Sequence, residues 1–245
     1  MGQPIKPQMN TDPHRRTQIR LKIRSAFICA DPCLSVIFLS FALFTGCQAV
    51  DIPSRTIELP KPDLQAAMQV KADATPLEKL NASAIEQTTY TKSYDASYVK
   101  LDYPNGDVPK ETGVCADVVV RAFRSTGIDL QKELHEDMGR SFSKYPNKWN
   151  TRKPDKNIDH RRVPNLMTWF NRKGKELPIT KNDRDYQPGD VVAWQLDGGL
   201  THIGMVSKIK IEGAERYAIV HNIGAGARLE DVLFQWKIIG HYRYF

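Results

Sequence analysis

Apolar residues recur with helical spacing in the first half of the chain and with strand spacing in the second half. Helices are predicted at 76–87, at 115–127, at 130–143 and at 165–173. Short apolar runs that follow turn residues predict strands at 191–194, 202–209, 217–222 and 236–245. Helices followed by a meander of strands predict an α+β protein. No internal repeat interrupts this pattern.

The first 46 residues have the pattern of a secretory leader. Six basic residues precede an apolar segment whose uninterrupted part, 34–44, is too short to span a bilayer comfortably. It ends in Leu43-Phe44-Thr45-Gly46-Cys47, which resembles the lipobox of bacterial lipoproteins. The resemblance implies that Cys47 is acylated and anchors the protein to a membrane. Because Gln48 follows it, we expect a periplasm-facing lipoprotein of the outer membrane. An uncleaved anchor and simple secretion are the alternatives.

Loss of the leader changes the charge and the cysteine count. The whole chain carries +7, and residues 48–245 carry +3, so the basic balance is mostly targeting signal and no nucleic-acid partner is expected. Cys29 and Cys33 leave with the leader and Cys47 would be lipidated, so Cys115 remains as the one free thiol. No Cys-x-x-Cys or His-x-x-x-His pair remains, and neither a metal nor another cofactor is expected.

The mature chain divides into a tether and one domain. Residues 47–75 contain three prolines and little periodicity, which predicts a flexible tether. Residues 76–245 are enough for one globular domain, which we expect to be a monomer.

Cys115 is the candidate nucleophile. It lies in the first turn of a predicted helix, where partial positive charge and unpaired N–H groups favour a thiolate. A buried, inert cysteine is the alternative. A base can come from His202, which begins a strand after the Gly198-Gly199 turn, and an orienting group from His221 on the neighbouring strand.

The motifs resemble those of the NlpC-type cell-wall cysteine peptidases of papain-like fold. The matching segments are Gly113-Val114-Cys115, Gln187-Pro188-Gly189-Asp190-Val191-Val192, His202-Ile203-Gly204-Met205-Val206 and Val220-His221. The resemblance implies a nucleophilic Cys115, a general base at His202 and an orienting His221. It also implies that Tyr103 helps to form the oxyanion site. The hairpin between the histidines is longer than usual in that family, so Asn222 is a rival to His221.

A closer resemblance, to an uncharacterised domain family of bacterial envelope proteins, extends from about Ser93 to Tyr244. It rests on three segments: Tyr103-Pro104-Asn105-Gly106-Asp107-Val108-Pro109, Asn157-Ile158-Asp159-His160-Arg161-Arg162-Val163-Pro164-Asn165-Leu166 and His221-Asn222-Ile223-Gly224-Ala225-Gly226.

Other polar residues are candidates for substrate binding. Asp117 lies in the first turn of the predicted helix that begins at Cys115. There it can stabilise the helix N-terminus or contact a substrate amine or Arg161. Asp159, His160 and Arg161 form a dense polar cluster that can bind a carboxylate, since arginine suits bidentate contacts with anions. A structural ion-pair loop is the alternative for this cluster.

Together these features predict a thiol amidase or endopeptidase that acts on peptidoglycan stem peptides or a similar envelope amide. A transglutaminase-like acyl transferase would use the same thioester. A non-catalytic envelope lipoprotein that retains the fold is the third possibility.

Overall fold

The computed structural model describes residues 55–58, 61–146 and 148–245. The strands are β1 (Arg55–Thr56), β2 (Ser93–Tyr94), β3 (Thr112–Gly113), β4 (Val191–Gln195), β5 (Thr201–Lys210), β6 (Tyr217–Asn222), β7 (Ala227–Asp231) and β8 (Lys237–Tyr242). Six of them form an antiparallel sheet in the order β1-β7-β6-β5-β4-β8. The short strands β2 and β3 make a separate parallel pair.

Within the described residues, five α-helices accompany the sheet. They are α1 (Lys61–Met68), α2 (Pro76–Tyr90), α3 (Cys115–Arg124), α4 (Leu130–Ser141) and α5 (Val163–Arg172). Thr75 caps α2 through a reciprocal pair of hydrogen bonds with Glu78, which fixes the start that the sequence predicted. The protein therefore has the α+β fold that the order of its patterns predicts.

The central strands β4, β5 and β6 are apolar on both faces, and a hydrophobic cluster covers each face. Ala193, Ile203 and Met205 belong to the larger cluster, which also contains the buried residues of α3. Trp194 and Val206 belong to the smaller cluster on the other face. Side chains alternate along a strand, so neighbouring residues of β5 serve different clusters. This alternation decides which polar groups can meet at the site.

The segment predicted as a flexible tether, 47–75, is partly folded. β1 pairs with β7 at the edge of the sheet, and α1 packs Leu64, Ala67 and Met68 against the larger cluster. Those residues have the spacing i, i+3, i+4 of an amphipathic helix. The helix was not predicted because it is short and the segment is rich in prolines. The predicted leader and Cys47 lie outside the described residues. Within the described residues, no helix is both long and apolar enough to cross a membrane.

Strand β7 is absent from the sequence prediction, which recognised only the Gly224-Ala225-Gly226 loop before it. Its residues, Ala227–Asp231, include three charged side chains and contain no apolar run. It becomes a strand because it completes the ladder between β6 and β1. This strand contributes Glu230 to the site described next.

Candidate active site

Helix α3 begins at Cys115, directly after the extended residue Val114, and its start is capped by Asp117. Val114 is extended, with φ −106° and ψ 176°. Asp117 reaches back, and its Oδ2 accepts a hydrogen bond of 2.7 Å from the Val114 N–H. Cys115 therefore occupies the first turn, where backbone N–H groups have no partner within the helix.

The Cys115 thiol is almost completely buried, with 4% of the residue exposed. Burial raises its pKa to about 11, although the Ile203 N–H and the Tyr94 hydroxyl act on the sulfur in the opposite direction. The sequence predicted that the helix N-terminus would favour a thiolate. The structure corrects this expectation, because desolvation of the charged form outweighs the hydrogen bonds and the helix dipole.

This raised pKa predicts how Cys115 alkylation depends on pH. Only the thiolate reacts, so the rate in the folded protein should still rise between about pH 9 and about pH 11. In the denatured chain the rate should level off above the ordinary thiol pKa of about 8.5. Mass spectrometry of the Cys115 peptide after iodoacetamide pulses measures both rates. A folded protein whose rate levels off below pH 9 would contradict the buried neutral thiol.

Tyr94, rather than Tyr103, lies against the sulfur. The β2–β3 pair places Tyr94 opposite Gly113, two residues before Cys115. Burial raises the pKa of Tyr94 to about 12, and the neighbouring Cys115 adds to this rise. The Tyr103 ring instead packs edge-on against His135, with 5.2 Å between ring centroids. Tyr94 was not predicted from the sequence, because a two-residue parallel strand pair has no local signature.

His202 and His221 meet directly, as their positions on adjacent strands predicted. The Nε2 of His202 lies 2.8 Å from the Nδ1 of His221. Gly204 permits this contact, since a Cβ at its position would lie 3.0 Å from the His221 Cβ. Both histidines are buried, with 2% and 1% of their surfaces exposed.

A third residue, Glu230, extends the pair into a chain of buried contacts. Its Oε2 lies 2.9 Å from the Nε2 of His221, and its Oε1 accepts a 2.9 Å hydrogen bond from the Thr56 hydroxyl. The hydrogen bond from His221 lowers the pKa of Glu230, which keeps the carboxylate charged. We call His202, His221 and Glu230 the histidine–glutamate network. Glu230 was not predicted from the sequence, because its strand, β7, has no apolar pattern that identifies it.

Two tryptophans cover the network on the side away from α3. The His202 ring centroid lies 5.7 Å from that of Trp194 and 5.8 Å from that of Trp236. Trp236 also packs edge-on against His221 at 6.1 Å. Burial lowers the pKa of His202 to about 3, helped by the neighbouring His221, so His202 is neutral at physiological pH.

Cys115 adjoins the backbone of β5 next to His202. The sulfur contacts the N–H of Ile203, the residue that follows His202. Within the described part of the chain no hydrogen bond joins the Cys115 sulfur to the His202 ring. The Nδ1 of His202 is likewise without a hydrogen-bond partner among the described residues. Side chains alternate along β5, so the His202 ring lies with Trp194 on the face of the smaller cluster, whereas Ile203 belongs to the larger cluster with Cys115.

Asn222 points to the opposite face of β6 from His221. Its side-chain N–H groups donate to the backbone oxygens of Gly113, at 2.9 Å, and Ser93, at 3.1 Å. It thereby ties the end of β6 to the β2–β3 pair in front of Cys115. The structure thus places His221 at the His202 ring and gives Asn222 a different position beside the helix start.

Asp117, two residues after Cys115 in α3, forms a buried ion pair with Arg161. The Arg161 Nε donates to Asp117 Oδ1 at 3.0 Å, and its Nη2 donates to Oδ2 at 3.0 Å. The remaining Arg161 N–H groups donate to the backbone oxygens of Asp95 and Ser97. All donor nitrogens of Arg161 are therefore engaged, and the pair holds the segment after β2 against α3.

Asp159 and His160 also lie inside the protein. Asp159 accepts hydrogen bonds from the Asp155 N–H and, at 2.9 Å, from Arg162. Burial lowers the pKa of His160 to about 3. The structure thus gives Asp159 and Arg161 structural partners in a short 3-10 turn, Asp159–Arg161. Among the described residues, no group of three or more His, Cys, Asp or Glu side chains is arranged to hold a metal ion.

The fold and the site define an α+β protein in which a cysteine at a helix start adjoins a strand that carries one member of a buried histidine pair. The chain belongs to the family described as a domain of unknown function, DUF1287, whose model matches residues 81–244. The uncharacterized protein YijF of Escherichia coli (strain K12) is 58% identical over 165 residues, which are 66% of this chain and 78% of that relative. No solved structure gives a significant match. The prediction that the chain belongs to an uncharacterised domain family is confirmed.

Proposed function

We propose that this protein is a thiol hydrolase of the cell envelope with an NlpC-type, papain-like fold, and that it cleaves amides through a Cys115 thioester. The observation that carries the proposal is that the histidine–glutamate network and the Cys115 sulfur reach consecutive residues at the start of β5. The histidine–glutamate network ends at His202, and the next residue, Ile203, contacts the Cys115 sulfur. A nucleophile, a base and a group that orients the base are the parts that nucleophilic catalysis requires.

In the first half of the reaction, the Nδ1 of His202 takes the proton of the Cys115 thiol, which requires the His202 ring to reach the sulfur around the first residues of β5. The thiolate then attacks the carbonyl carbon of the amide and forms a tetrahedral oxyanion. The imidazolium of His202 gives its proton to the leaving nitrogen, the C–N bond breaks, and an amine departs. His202 is neutral in the resting protein and contacts His221 through Nε2, which leaves Nδ1 as the nitrogen that could accept a proton.

The oxyanion would lie at the N-terminus of α3. The Asp117 N–H donates to the Val114 oxygen, but the N–H groups of Cys115 and Ala116 precede the first helical acceptors, and the Tyr94 hydroxyl adjoins the sulfur. These donors occupy fixed positions, because Asp117 caps the helix and Asn222 holds the backbone of Gly113. Donors that are already oriented need no reorganisation when negative charge develops.

In the second half, water hydrolyses the thioester. His202 removes a proton from the water, hydroxide adds to the acyl carbon, and the Cys115 thiolate leaves and regains a proton from His202. An amine in place of water would give acyl transfer, so a transglutaminase-like activity would pass through the same intermediate.

The proposed substrate is a peptide amide of peptidoglycan. The lipobox-like sequence before Cys47 supports a periplasmic location, where the protein would be anchored to the outer membrane. Peptidoglycan is the amide-rich polymer within reach of such an anchor.

Purified peptidoglycan tests the proposal. The full chain should shorten stem peptides or open cross-links, visible in the profile of released fragments, while the Cys115→Ala variant should leave the profile unchanged. Incorporation of an added amine without net release of acid would assign the protein to acyl transfer. Identical profiles for wild type and variant would contradict a peptidoglycan hydrolase and favour a non-catalytic lipoprotein.

A further inference from the structure

The hydrogen bonds of the histidine–glutamate network are sufficient to assign its protons. Both oxygens of Glu230 are occupied, one by the Thr56 hydroxyl and the other by the Nε2 of His221. A carboxylate only accepts hydrogen bonds, so the Nε2 of His221 must carry the hydrogen in that contact.

The remaining assignments follow in order along the network. A neutral imidazole has one N–H and one bare nitrogen, so the Nδ1 of a neutral His221 is an acceptor. The 2.8 Å contact with His202 then requires that the Nε2 of His202 donate. A neutral His202 that donates from Nε2 has a bare Nδ1, which is the nitrogen a base would use.

While His221 is neutral, burial makes this order strict. Glu230 is 6% exposed, and the histidines are buried more deeply beneath Trp194 and Trp236. Water has little access with which to satisfy a donor that points at a donor, or an acceptor that points at an acceptor. A mismatched tautomer would leave a buried polar group unpaired, which is costly.

We propose that Glu230 is a positioning residue that fixes the tautomer of His202 through His221. It touches no substrate; its effect is to keep the Nδ1 of His202 free of hydrogen. The catalytic use of that nitrogen rests on the proposed function, whereas the tautomer itself does not. The inference also assigns a purpose to β1, whose Thr56 holds the second oxygen of Glu230.

Nitrogen-15 NMR of the full chain, labelled at histidine, tests the inference directly. In the wild type at about pH 8, where an ordinary histidine is neutral, His202 should show a hydrogen on Nε2 and none on Nδ1. His221 should show the same tautomer. The reverse tautomer of His202 in the wild type would overturn the inference, and this measurement requires no variant to fold.

Two variants of similar size separate the acceptor from the charge. Glu230→Gln keeps an oxygen that can accept from His221, so the His202 tautomer should persist. Glu230→Leu removes the acceptor, so the His202 signal should shift to a mixture or to the Nδ1–H form. The kcat for amide hydrolysis should fall about 100-fold in the leucine variant with little change in KM. The glutamine variant should retain most of its kcat.

The outcomes distinguish this inference from the proposed function. The expected tautomers together with no amide hydrolysis in the wild type would refute the function and leave the positioning role intact. Hydrolysis by the wild type together with an unchanged His202 tautomer in Glu230→Leu would refute the positioning role alone.

Discussion

Replacing His202 by alanine is expected to slow amide hydrolysis about a thousandfold, because the variant loses its general base and general acid together. The thiol has a pKa raised to about 11, so little thiolate forms at neutral pH without a base. The loss should appear in kcat, since substrate contacts made by Tyr94 and the helix N-terminus remain. Initial rates with a fluorogenic peptide amide, or with purified peptidoglycan, measure it.

The matched control is His135→Ala. His135 packs against Tyr103 and does not belong to the histidine–glutamate network. Its replacement should leave the rate within about threefold of wild type, which is less than 1 kcal/mol in the barrier. Denaturation curves of both variants check that they are folded. A His202→Ala variant that is folded and keeps more than a tenth of the activity would exclude His202 as the base.

Replacing Arg161 by methionine is expected to lower the free energy of unfolding by about 3–5 kcal/mol. The Arg161 and Asp117 side chains are 1% and 4% exposed, so the substitution leaves the Asp117 carboxylate buried without its counterion. The backbone oxygens of Asp95 and Ser97 lose their donors as well. Urea denaturation followed by circular dichroism gives the difference.

A surface ion pair provides the control for this substitution. Arg184 lies 3.8 Å from Glu215, and the two side chains are 73% and 57% exposed. Arg184→Met should therefore cost less than about 1 kcal/mol, as is usual for solvent-exposed pairs. Equal small losses in the two methionine variants would show that the Asp117–Arg161 pair does not hold the helix start.

The sequence predicts most of the elements that carry local signals. Helix α2 has a cap and a proline at its start, and helix α3 has a broad apolar face. The positions of His202 and His221 on adjacent strands predict their contact, because antiparallel neighbours bring such residues side by side. The possible contact of Asp117 with Arg161 also follows from the sequence analysis and is present in the structure.

The residues that the sequence does not predict depend on distant contacts. Tyr94 reaches the sulfur through a two-residue strand pair, and Glu230 reaches His221 from a strand that forms only by pairing on both sides. Neither segment has an apolar pattern of its own. The protonation state of the Cys115 thiol could not be predicted for a related reason. Position in the first helical turn can be recognised in the sequence, but the depth of burial that raises the pKa of Cys115 depends on the whole fold.

The central claim of the proposed function is that the Cys115 sulfur forms a bond to the acyl group of the substrate. The most direct measurement is the mass of the Cys115 peptide after the full chain is mixed with peptidoglycan peptides and quenched in acid within the first turnovers. The account predicts an added acyl mass on Cys115 that hydroxylamine removes, as expected for a thioester. Cleavage of the amide while the Cys115 peptide keeps its unmodified mass throughout would contradict it.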